Sequence, residues 1–116
     1  MKYKELYIAT KEALLRDEKN ARDYMDRLYT LNLAILLMDN GTFTRNRVKY
    51  RVLGKEGEIT VVKGKGRKTE VCWQTELSEE SMPDIDVLKD MEGLPDMKTK
   101  GDLLYGVLEG LGFKAD

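Results

Sequence analysis

The chain has 116 residues, 41% of them hydrophobic and 35% charged, which is apolar enough for a single folded domain and too apolar for wholesale disorder. It has no histidine and one cysteine, Cys72. This excludes Ser-His-Asp and Cys-His catalysis, an imidazole general base, a zinc site built from Cys and His, and any internal disulfide. Net charge is only −1, and the longest apolar stretch, Leu33 to Met38, is far too short to span a bilayer.

Residues 2–39 read as helical. Tyr3, Leu6, Tyr7, Ala13, Leu14, Ala21, Tyr24, Met25, Leu28, Leu31, Ile35 and Met38 trace one face at helical period. Arg16 to Asn20 is polar all round, so the segment is either one long helix with an exposed waist or two helices joined by a bend. Asn40-Gly41 closes it, because both residue types tolerate a left-handed cap.

Residues 46–75 change to strand period and read as a three-stranded antiparallel meander. Val48, Tyr50 and Val52 alternate with charged residues in the first strand. Gly54 to Gly57 is a turn, Glu58 to Lys63 a second strand, and Gly64 to Arg67 a second turn. In the third strand, Thr69 to Thr75, alternation puts Val71 and Trp73 on one face and Glu70, Cys72 and Gln74 on the other.

The last third returns to helices over 82–92 and 100–110. Ser81-x-x-Asp84 and Thr99-x-x-Asp102 each match a capping pattern, and Leu94-Pro95-Asp96 is a linker. Leu103, Leu104, Val107, Leu108 and Leu111 form a stripe onto which Phe113 can fold back. The expected fold is therefore α+β and a single domain over 1–116: one long or two shorter N-terminal helices, a three-stranded meander and two C-terminal helices.

The charge is unevenly spread. Residues 1–43 are balanced, with seven basic and seven acidic side chains. Residues 44–68 carry nine basic and two acidic, and residues 76–116 four basic and eleven acidic. Arg45, Arg47, Lys49 and Arg51 are spaced by two, so a regular strand would project all four from one face. Same-face side chains repeat about every ~6.5–7 Å, close to phosphate spacing in an extended strand. With Lys63, Lys65, Arg67 and Lys68 they form a basic ribbon suited to an anionic partner. The competing readings are a solvated face, or neutralisation by the acidic C-terminal helices.

Other signals are weaker. The glycines of Gly64-Lys65-Gly66-Arg67-Lys68 suit an anion-holding loop, yet a hairpin turn explains them equally well. Asp84, Asp86 and Asp90 fail the calcium-loop spacing. Cys72 reads as buried or inert, and Trp73 as a core anchor. Tyr3, Tyr7, Tyr24 and Tyr29 mark a helix edge of the kind found at protein interfaces. A helix of about 36 residues would reach ~54 Å, more than three strands can cover, which favours a second copy or a partner.

The leading expectation is a non-catalytic binding protein of the cytoplasm. It would act through protein–protein contact or as a homo-oligomer, in the manner of small bacterial and phage accessory proteins and inhibitors. The alternatives are nucleic-acid binding through residues 45–68 and binding of a small anionic ligand such as a nucleotide. No cofactor, metal or membrane partner is expected. Nothing supplies a paired base and nucleophile, so an enzyme comes last.

Overall fold

A computed structural model describes residues 1–64, 66–83, 85–94 and 96–115. These residues form α1 (Tyr3–Leu15), α2 (Ala21–Met38), β1 (Thr42–Arg45), β2 (Val48–Lys55), β3 (Glu58–Lys63), β4 (Glu70–Glu76), α3 (Ile85–Glu92) and α4 (Met97–Leu111). The fold is α+β, with a four-stranded antiparallel sheet in the order β1-β2-β3-β4 rather than the expected three strands.

The N-terminal segment is two helices. α1 buries Leu6, Thr10 and Ala13 and ends where Asp17 takes φ 53°. Asp17 N–H then donates to Leu14 O and Glu18 N–H to Ala13 O, the hydrogen-bond pair of a left-handed helix stop. An aspartate thus does what glycine usually does, and the stop falls inside the polar Arg16–Asn20 run, which decides for two helices over one. α2 turns back along α1 and buries Ala21, Leu31, Ala34 and Met38. Asn40 closes it at φ 63°, and the Asp39 carboxylate accepts Gly54 N–H at 2.9 Å, tying the helix end to β2.

The extra strand comes from a turn within the expected first strand. Asn46 and Arg47 both have positive φ, the mark of a tight two-residue hairpin. They join β1 to β2 with Arg45 opposite Val48 and Phe43 opposite Tyr50. The next hairpin needs only Glu56-Gly57, so Gly54 and Lys55 belong to β2. Gly57 has φ 87°, and any side chain there would collide with Tyr3, which packs over the turn.

Between β3 and β4 the register steps from Val62↔Val71 to Val61↔Trp73, a bulge at Cys72. It reverses the expected facing of Val71. Trp73 is half-buried against Phe113, whereas Val71 is 61% exposed on the opposite face.

Both C-terminal helices start elsewhere than their Ser/Thr patterns suggested. α3 begins at Ile85, and the Ser81 hydroxyl meets Ser78 Oγ at 3.0 Å and Glu76 O at 3.5 Å instead of serving α3. Asp84 lies outside the described residues. α4 begins at Met97 because Asp96, not Thr99, is its cap: Asp96 Oδ1 accepts Thr99 N–H at 2.8 Å and Thr99 Oγ1 at 2.9 Å. After α4, Phe113 N–H bonds back to Leu108 O and the ring enters the core. There it meets Phe43, Tyr50, Trp73 and Tyr105 at 5.7–6.3 Å between ring centres.

The core lies between the helices and the sheet face bearing Phe43, Tyr50, Val52, Ile59 and Val61. The molecule is elongated, 52 × 30 × 22 Å. No helix among the described residues is long and apolar enough to cross a membrane.

Candidate functional site

Two surfaces stand out. The first is a basic concavity at one end of the sheet. β2 overhangs β3 there, with Val48 and Lys49 paired only to β1. The β1–β2 turn forms one wall. The other is formed by Gly64 and by Gly66 to Thr69, with a short 3₁₀ turn at Gly66–Lys68. Gly64 has φ 92° and the chain doubles back so closely that a side chain there would strike Lys68 O. The hollow measures about 770 Å³.

Arg47, Lys49, Arg51, Lys63 and Lys68 line it, with Glu70 as the one carboxylate among the described lining residues. Lys63 and Glu70 face each other across the strands at 3.9 Å. Arg47, Lys49, Arg51 and Lys68 have no carboxylate within 4.0 Å among the described residues.

The four-cation strand face expected from Arg45, Arg47, Lys49 and Arg51 does not exist. The hairpin at Asn46-Arg47 resets the alternation. Arg45 is cross-strand from Val48 and so shares the helix-packed face, where it stacks over Tyr105 and pairs with Asp102. Lys49 and Arg51 point from the opposite face, and Arg47 projects from the turn. Arg67 is exposed on the 3₁₀ turn outside the hollow, and Lys65 lies outside the described residues. Neutralisation by the acidic third is confined, among the described residues, to the Arg45–Asp102 pair.

Arg47 has φ 69° at a position where these turns favour glycine. A left-handed arginine costs on the order of 1 kcal/mol, a cost that glycine would avoid. The missed signal was Asn46 itself. With arginine after it in place of glycine, the stretch reads as unbroken strand alternation.

The second surface is the outer face of the α1–α2 hairpin. Tyr7, Leu14, Met25, Leu28 and Tyr29 line a shallow groove of about 400 Å³ between the helices. Tyr7 is 49% exposed, Leu14 51%, Met25 49% and Tyr29 67%. The four candidate tyrosines therefore divide. Tyr7 and Tyr29 sit on this groove, while Tyr3 and Tyr24 pack against the core. Residues 14–20, at the far end of the hairpin, are exposed throughout. Sequence periodicity assigned Leu14 and Met25 to the core stripe, because it cannot reveal how little of that stripe the sheet covers.

Arg27 fixes the root of the hairpin. It bonds Asp23 on its own helix and Glu79 at 2.6 Å, and lies 5.3 Å from the Tyr24 ring centre. The hydrogen bond to Asp23, then that to Glu79, raises its pKa above the usual arginine value. Such a raised value stabilises the fold below the unfolded pKa and is lost only above it, so it brings no pH dependence near neutrality.

Cys72 is exposed on the bulge, not buried, with Sγ 3.8 Å from Glu70 O. Among the described residues no group of three or more Cys, Asp or Glu side chains is placed to hold a metal ion. Comparison with known proteins yields no relative: no family model, curated protein or solved structure matches the chain.

Proposed function

We propose that the chain is a non-catalytic binding protein that works through protein–protein contact, with the outer face of the α1–α2 hairpin as its docking surface and a second copy as its first partner. The observation that carries this reading is the exposed apolar groove of Tyr7, Leu14, Met25 and Tyr29. Large apolar side chains gathered on one face mark an interaction site, and exposed tyrosine and methionine are enriched at interfaces.

A second copy suits the groove for two reasons. Residues 1–43 carry equal numbers of acidic and basic side chains, so the segment has no net charge, and Lys11 is the one charged residue among the described lining of the groove. Two hairpins laid face to face about a twofold axis also form a four-helix bundle, a common self-complementary arrangement. Helices of 13 and 18 residues span ~20 and ~27 Å, long enough for a face approaching the ~800 Å² per partner of a stable interface. The rival surface, the edge strand β4, is guarded by its bulge and by Glu70 and Glu76.

Hydrogen exchange at low and high protein concentration locates the interface. The proposal expects α1 and α2 amides to slow with concentration while those of β4 do not. Slowing confined to β4 contradicts it.

A further inference from the structure

The basic concavity has no part in the hairpin reading, yet its construction is specific. Among the described residues, four of its five cations lack a carboxylate partner, and one of them, Arg47, is held in a backbone conformation that favours glycine. Like charges around a hollow raise a positive potential inside it, which solvent ions or a ligand would relieve.

We propose that this hollow is a binding site for a ligand carrying consecutive phosphates. Lys49 and Arg51 lie on one strand face, which sets their side chains ~6.5–7 Å apart, near the spacing of successive phosphates along a nucleic-acid strand and well beyond that of directly bridged phosphates. Arg47 and Arg51 offer planar forks that match phosphate oxygens, while Lys49 and Lys68 add point charges. Among the described lining residues the one aromatic, Tyr50, is buried in the core, so none of them offers a ring for stacking a base. Recognition therefore falls on the phosphates. Glu70, 3.9 Å from Lys63, offsets part of its charge.

Consecutive phosphates come from a nucleic-acid strand or from a nucleoside polyphosphate, and the test separates the two. Fluorescence anisotropy of a labelled oligothymidylate is measured across a salt series, with tripolyphosphate, ATP and polyglutamate as competitors. Salt-sensitive binding that phosphate competitors relieve better than polyglutamate is the expected result. Weak competition by tripolyphosphate and ATP assigns the site to a strand, and strong competition to a small polyphosphate.

Lys49→Ala/Arg51→Ala, both exposed, should weaken binding at least ~10-fold and flatten the salt slope by about 1.4. Glu70→Gln should tighten it, an outcome that misfolding cannot imitate. Lys4→Ala/Lys89→Ala, both exposed and away from the hollow and the hairpin groove, makes the same change of net charge elsewhere and should leave affinity unchanged. Equal losses in the two double variants, preference for polyglutamate, or no binding of any phosphate probe at low salt would overturn the proposal.

Discussion

The Arg45 guanidinium lies 4.2 Å from the centre of the Tyr105 ring and 3.7 Å from Asp102 Oδ1, joining the end of β1 to α4. Arg45 is thereby a packing residue of the core edge and not a member of the basic surface. Arg45→Ala should cost under ~1 kcal/mol, since the pair is partly solvated. Chemical denaturation checks this. Phosphate-probe affinity should be unaltered in the same variant.

Arg47 predicts the opposite combination. Arg47→Gly relieves a left-handed arginine and should stabilise the fold by up to about 1 kcal/mol. It should also weaken the phosphate probe. Thermal unfolding and anisotropy on one preparation would read out both, and a variant that lost stability together with affinity would contradict this account of the turn.

The helix stop at Asp17 carries a similar strain without any ligand. Asp17→Gly should raise stability by roughly 0.5 kcal/mol, the gain from easier left-handed geometry being offset in part by a freer unfolded chain. A denaturation midpoint that rises with unchanged slope is the expected reading.

Phe113 touches four aromatic rings of the core, including the sole tryptophan, Trp73. Phe113→Ala should cost about 3–5 kcal/mol, the usual penalty for emptying a large buried site. Trp73 fluorescence should shift to longer wavelength in the folded variant as water reaches the indole.

Much of this architecture is legible from residue pattern. β3 runs over Glu58–Lys63, where alternation put it, and Phe113 folds back where the stripe required a lid. The misreadings share a physical cause, namely turns made by residues that do not advertise them. Asn46-Arg47 adopts positive φ without glycine, so the extra strand went unmarked, while Asp17 does the same inside the polar Arg16–Asn20 run that leaves one helix and two equally open. The bulge at Cys72 moved Val71 across the sheet, a shift set by strand pairing and invisible to local alternation. The basic cluster was readable as composition. Its membership depended on register, which sent Arg45 to the helices and drew Lys49, Arg51 and Lys68 into one hollow.

Self-association through the α1–α2 hairpin is tested most directly by sedimentation equilibrium of the wild-type chain beside Leu14→Glu/Tyr29→Glu. Both substituted side chains are at least half exposed, so the variant should fold as the wild type does. A concentration-dependent dimer for the wild type and a monomer for the variant are the predicted results. A wild type that stays monomeric at the highest concentration, or a variant that dimerises equally well, would contradict the hairpin as the docking surface.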